Sequence, residues 1–97
     1  MASFVLLINW TEQGARTATD TVDREKMFRE MVEGLGGNLK DAYWTIGPYD
    51  IVGIVEAPDD ETMTAIALKA AGWGNIRTTT MRAFTREEVA RIIEKAG

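Results

Sequence analysis

Histidine and cysteine are both absent from this chain, and that sets the chemistry open to it. Without imidazole, the usual general base, zinc ligand and haem ligand are missing. Without a thiol, disulfides, thiolate metal sites and cysteine nucleophiles are excluded. What remains is carboxylate, phenol, hydroxyl, amine and guanidinium. Tyr43, Tyr49, Asp50 and Glu56 lie close together around a Gly47-Pro48-Tyr49-Asp50 turn and, with Arg24 and Arg77, are the candidate ligand-binding residues. Asp50 could anchor a ligand amine or accept a proton, or it could take hydrogen bonds from nearby backbone N–H groups, a common use of Asp. Glu56 ends an apolar run, where an unpaired buried carboxylate is costly. It therefore lies at an exposed strand end, pairs with Arg24, Arg77 or Arg82, or carries a pKa raised by burial and suited to acid–base work. Thr78-Thr79-Thr80 fits a strand first, and no histidine is present to activate it. Gly72-x-Gly74 and Gly36-Gly37 are too sparse for a phosphate loop. No Asp/Glu spacing makes a metal cage. No cofactor and no metal are expected.

The charge balance narrows the partners. Net charge is −4 and the arginines are scattered, whereas nucleic-acid binding needs clustered cations to neutralise phosphates. The 45 % hydrophobic and 27 % charged composition is that of a globular domain, and residues 1–97 read as one such domain. The longest apolar run, Phe4 to Ile8, is far shorter than the ~20 residues of a membrane helix. The start Met1-Ala2-Ser3 shows no basic signal-peptide region, so a cytoplasmic, membrane-free protein is expected.

The elements that must position these residues follow from periodicity. Phe4–Ile8 reads as a strand, continuous in apolar character. Thr11 to Thr19 is polar, contains Gly14 and reads as a loop. Asp20 to Leu35 is helical, with Phe28, Met31, Val32 and Leu35 on one face, a charged remainder and Gly36-Gly37 as its stop. Thr19, Asp20 or Thr21 is expected to cap it. Asn38 to Ile46 reads as a strand leading into the Gly47–Asp50 turn, where Pro48 suits position i+1. Ile51–Val55 is a second continuous apolar strand, and alternation along it groups Asp50, Val52, Ile54 and Glu56. Asp59 caps a helix carrying Met63, Ile66, Ala67 and Ala70, which Gly72-Trp73-Gly74 breaks. Ile76–Phe84 is a Thr-rich strand. Thr85-Arg86-Glu87-Glu88 is a capping box, and Val89, Ile92 and Ile93 give the last helix an apolar side.

The order β-α-β-β-α-β-α predicts an α+β, ferredoxin-like βαββαβ antiparallel sheet with an extra C-terminal helix. Right-handed crossovers put the first and third strands in the middle. Those are the two continuous apolar runs. A sheet with one wet face should alternate apolar and polar residues, and these strands do not. Something must cover the second face. A second copy of the sheet does so in a homodimer; the other possibility is the last helix folding back over it. Burying several hundred Å² at about 25 cal/mol per Å² offers several kcal/mol towards association. Trp10, Trp44 and Trp73 are expected in the core or at an interface.

The residues also carry a resemblance. Gly47-Pro48-Tyr49-Asp50 followed by Glu56-Ala57-Pro58-Asp59-Asp60 resembles the GYD-domain family of small bacterial proteins. So do Thr11-Glu12-Gln13-Gly14, Arg24, Tyr43-Trp44-Thr45, Gly74-Asn75-Ile76-Arg77-Thr78-Thr79-Thr80 and Arg82-Ala83-Phe84-Thr85. Pro48 within the naming motif and the extra aromatic Trp73 are departures. The resemblance implies a fold of the dimeric α/β-barrel type and brings no established activity. A weaker likeness is to the ligand-binding domain of leucine-responsive regulators, through the Gly-x-Tyr-Asp hairpin and the Thr-x-Thr segment. It implies dimers or higher homo-oligomers that bind small effectors at subunit interfaces. No helix-turn-helix half is read here, so DNA contact is not expected. Three functions follow as expectations. One is a dimeric module that binds a small organic molecule or serves assembly. Another is a cofactor-independent oxygenase or isomerase, with Asn9 and Trp10 lining its pocket and Tyr43, Tyr49 or Asp50 handling protons. The last is a regulatory subunit that binds an effector and acts on a partner protein.

Overall fold

The structure, a computed structural model, describes residues 1–97. Its elements are β1 (Ala2–Trp10), α1 (Glu12–Arg16), a 3-10 turn (Ala18–Asp20), α2 (Thr21–Gly34), β2 (Asn38–Trp44), β3 (Ile51–Ala57), α3 (Asp60–Gly72), β4 (Ile76–Ala83) and α4 (Arg86–Ala96). The strands form one antiparallel sheet in the order β2-β3-β1-β4, so the two apolar strands are central, as the topology requires. This is the α+β, ferredoxin-like arrangement with an added C-terminal helix.

Strand alternation divides the sheet into two faces. Phe4, Leu6 and Ile8 of β1 join Leu39 of β2 and Val55 and Ala57 of β3 on the face towards the helices. Phe28 and Val32 of α2 and Met63, Ile66 and Ala70 of α3, at helical spacing, close over them. These residues are the whole core, and all are at most 8 % exposed. In β2 the alternation slips once. A bulge at Lys40 lets Leu39 and Ala42, rather than Leu39 and Asp41, share a face. The strand also stops at Trp44, before Ile46, because the Thr45 N–H donates to the Asp50 carbonyl at 2.8 Å and closes the hairpin there.

The Thr11–Thr19 segment is not the loop expected of it. It folds into α1 and the 3-10 turn, held by polar tertiary contacts. The Thr11 N–H donates to the Asn75 carbonyl at 3.0 Å, and the Thr11 hydroxyl donates to the Gly74 carbonyl at 2.6 Å. The same hydroxyl accepts from the Gly14 N–H at 3.1 Å and so caps α1. Gly14 is buried so close to Asn75 that an added Cβ would lie 2.0 Å from its carbonyl oxygen. Because the 3-10 turn runs into α2, the Thr21 N–H donates to the Ala18 carbonyl. Asp20, at the N-cap, makes no side-chain capping bond, contrary to expectation.

The other caps follow the sequence. Gly36, at φ +88°, takes the left-handed position that ends α2. The Asp59 carboxylate accepts from the Thr62 N–H at 2.8 Å. Thr85 and Glu88 form a reciprocal capping box at the start of α4. Arg82 ties this junction to β1. It ion-pairs Glu88 at 3.6 Å, donates to the Ser3 carbonyl at 3.1 Å, and lies over the Phe4 and Phe84 rings.

Beyond that junction α4 has no extended packing partner, and Val89, Ile92 and Ile93 stay exposed. It does not fold back over the sheet. The radius of gyration, 14.5 Å, exceeds the roughly 12.5 Å of a compact chain of this length, and the molecule measures 50 × 30 × 18 Å. No helix is long and apolar enough to cross a membrane.

Two outcomes follow. Gly14→Ala is expected to destabilise the fold by about 3 kcal/mol, read from urea unfolding, because backbone and not a yielding side chain occupies the space. The Thr85 N–H bond holds the Glu88 carboxyl below its usual range; desolvation opposes the shift, and the Thr85 hydroxyl and Arg82 add to it. A depressed folded pKa stabilises above the unfolded value, and the contribution fades as pH falls through the folded one. The Cα chemical shifts of Val89 to Ile93 should therefore drift towards coil values below about pH 4.5. In Glu88→Gln, which keeps the box but not the charge, this acid step should disappear.

Candidate functional site

The candidate residues fall at separate places, and the fold explains each. Asp50 ends the β2–β3 hairpin. Its N–H donates to the Ile8 carbonyl, and its carboxylate accepts the Trp10 N–H at 2.9 Å. It thus extends the β1–β3 ladder by one residue using a side chain. Tyr49 lies in the hairpin loop, where its carbonyl accepts from the Thr45 hydroxyl at 2.6 Å. The Trp10 indole Nε1, on the residue whose backbone Asp50 holds, is buried without an acceptor.

Tyr43, Glu56 and Arg77 share the sheet face that turns away from the helices, but not one spot on it. Tyr43 sits opposite Val52, with 60 % of its surface exposed. Glu56 lies beside Ser3, whereas Arg77 lies beside Asn9, about 20 Å further along β1. The partner of Glu56 is none of the arginines proposed for it. Its carboxylate is 4.0 Å from Lys40 Nζ and accepts from Asn38 Nδ2 at 3.5 Å. Arg82 is on the opposite face, over Phe4, and Arg77 is at the far end of β4. The bulge brings Lys40 into reach. Asp50 does not join Val52 and Ile54, because its side chain is drawn to Trp10.

The centre of that same face is apolar. Val5 pairs with Ile54 and Met81, and Leu7 pairs with Val52 and Thr79. Tyr43 flanks Val52 on β2. No helix lies across these residues. Val5, Leu7, Val52 and Ile54 are only partly buried, and Met81 is exposed. A contiguous apolar patch of this kind, rimmed by Glu56, Arg77, Asn9 and Asp41, is the signature of an interaction surface.

Arg24 belongs to the other side. It lines an apolar cavity of about 60 Å³ beneath α2, bounded by Leu6, Ile8, Phe28, Ile51, Trp73 and Ile76, with Thr21, Glu25 and Asn75 also at its walls. Its guanidinium donates to the Thr17 carbonyl and hydroxyl, both at 2.8 Å, and to the Gly14 carbonyl at 3.2 Å. Glu25 is paired with Arg29 at 2.7 Å. Tyr43, Tyr49, Asp50 and Asn9 are not on this cavity, so the proton-handling groups considered for an oxygenase or isomerase do not meet it. No group of three acidic side chains gathers closely enough to hold a metal ion. The cavity itself was not foreseen. Gly53 in the middle of an apolar strand was its one visible sign, since a strand glycine marks a spot where space is needed. The Thr21, Trp73 and Asn75 contributions depend on tertiary packing.

A Thermus thermophilus protein named "Glutamine synthetase and cystathionine beta-lyase binding protein" is 33% identical over 85 residues, covering 87% of this chain and 90% of that one. Among solved structures, MtbAldR superposes with a TM-score of 0.68 at 13% identity, over 88% of this chain and 52% of that one. The chain thus spans about half the length of that protein. FFRP-DM1 gives 0.61 at 22% identity, over 87% of this chain and all of that one. TTHA0845 from Thermus thermophilus gives 0.57 at 23% identity, over 88% of this chain and 95% of that one. At such identities these three speak for the fold alone. Residues 4–93 match the family model of the GYD domain, so the chain belongs to the GYD-domain family.

Proposed function

We propose that this protein is a self-associating binding module, a homodimer joined through its open sheet face that docks on a partner enzyme. The observation that carries the reading is the uncovered apolar patch of Val5, Leu7, Val52 and Ile54, flanked by Tyr43 and Met81. A second copy matches it by symmetry, since a twofold contact sets each patch against itself. Strand spacing and rise give the face an extent of roughly 19 by 23 Å. Two such faces bury somewhat under about 1,000 Å², short of the roughly 1,200 Å² at which specific interfaces begin, so the face needs further area beside it. The exposed stripe of α4, Val89, Ile92 and Ile93, supplies further apolar area over about 6 Å of helix axis. The rim of Glu56, Lys40 and Arg77 stays at the edge, where charges set register more than affinity.

The partner half of the reading rests on the Thermus thermophilus relative, whose name states that it binds glutamine synthetase and cystathionine beta-lyase. Enzyme binding of that kind needs no catalytic group in the module. It fits a chain whose candidate acid–base residues are dispersed over two faces and a hairpin.

Two measurements test the proposal. Sedimentation equilibrium of the wild type is expected to give a dimer at micromolar concentration. Ile54→Glu, which puts a charge at the centre of the patch, should give a folded monomer, with association weakened at least about a hundredfold. In surface plasmon resonance, the wild-type protein should bind immobilised glutamine synthetase or cystathionine beta-lyase, and Ile54→Glu should lose at least about tenfold in affinity. A wild-type monomer would overturn the dimer. Absence of binding to both enzymes would overturn the partner assignment.

A further inference from the structure

The sheet-face assembly leaves the cavity beneath α2 without a role, because that cavity opens on the opposite side of the sheet. Its apolar wall is Leu6, Ile8, Phe28, Ile51, Trp73 and Ile76. At about 60 Å³ it exceeds what a single water requires. It is smaller than the roughly 150 Å³ cavity that takes benzene, and polar partners for a water cluster are lacking along this wall. The matching occupant is a branched alkyl group of about four carbons, which gains by leaving water.

The rim is polar and carries one uncompensated charge. Thr21 and Arg24 lie one turn apart on α2 and share the cavity side. The Arg24 guanidinium donates to Thr17 and Gly14, which commits three of its five N–H groups. Its Nε–H and one Nη2–H are free, and no carboxylate lies within ion-pairing distance of it. The Thr21 hydroxyl accepts from Trp44 Nε1 at 2.9 Å and keeps its own proton to donate. Glu25, the one acidic group at the rim, is neutralised by Arg29. An arginine edge with two adjacent donors matches the two oxygens of a carboxylate. The bonds to Thr17 and Gly14 hold that edge in place, so little ordering entropy is lost on binding.

We infer that this cavity is a binding site for a short branched aliphatic carboxylate, its alkyl group against Phe28, Trp73 and Ile76 and its carboxylate on Arg24 and Thr21. Such a ligand would bind independently of the sheet-face dimer. It would also bridge α2 to the Trp73–Asn75 segment, to which α1 is already tied through Thr11.

The test is an amide-detected NMR titration of the full chain with isovalerate, alongside isovaleramide, which has the same alkyl group and no charge. Isovalerate is expected to saturate with a Kd on the order of 1 mM and to shift Thr21, Arg24, Gly53 and Asn75 most. Isovaleramide should bind about tenfold more weakly, the factor one charge-assisted hydrogen bond supplies. Because Arg24 also holds α1, the variant chosen is Gly53→Val. A Cβ at Gly53 meets only ordinary contacts, at 3.7 Å or more, on the helix side of the sheet. It should keep the folded spectrum and the dimer and weaken isovalerate binding about tenfold by filling the space. The inference is overturned by no saturable shift up to about 20 mM, by equal binding of acid and amide, or by unchanged binding to Gly53→Val.

Discussion

A four-stranded sheet has two faces, and this chain has helices for only one of them. Phe4, Leu6, Ile8 and Val55 are buried under α2 and α3. Val5, Leu7, Val52 and Ile54 alternate with those residues on the same two central strands, and nothing in the single chain covers them. Alternation is forced by the pleat, so apolar side chains at successive positions must emerge on both sides. A monomer would hold that second set against water. The projecting α4 adds a second exposed apolar stripe instead of concealing the first. Both features favour an assembly over an isolated chain.

Against that background, the polar residues that looked chemical turn out to hold backbone. Asp50 uses its carboxylate to extend the β1 ladder through the Trp10 N–H. Arg24 gathers the carbonyls of Gly14 and Thr17 and so fixes α1 over the end of the sheet. Arg82 joins the start of α4 to the Ser3 carbonyl. Each bond gives a backbone N–H or carbonyl a side-chain partner, at the ends of β1 or in the α1 segment. Arg24 combines this role with a position on the apolar cavity beneath α2, and Arg82 does so on the more polar groove between Phe4, Thr80 and α3.

The sequence was most readable where one local rule decides. Continuous apolar runs marked the central strands, and Asp59 and the Thr85–Glu88 box marked helix starts that the structure shows bonded as expected. It was least readable where tertiary contacts decide. Thr11 to Thr19 has no apolar periodicity, and it is helical because Gly74, Asn75 and Arg24 supply its hydrogen-bond partners from elsewhere. Register also escaped. The bulge at Lys40 left no mark in the residue types, yet it decides which cation reaches Glu56. The cavity depends on a gap between α2 and Gly53 that only the assembled layers reveal.

Whether the open sheet face meets its own copy can be read from an isotope-filtered NOE experiment. A sample mixing methyl-labelled and unlabelled chains is expected to show intermolecular contacts at the methyl groups of Val5, Leu7, Val52 and Ile54. The absence of such contacts, or their restriction to residues outside this face such as Val22 and Leu68, would show that the sheet face is not the seam between copies.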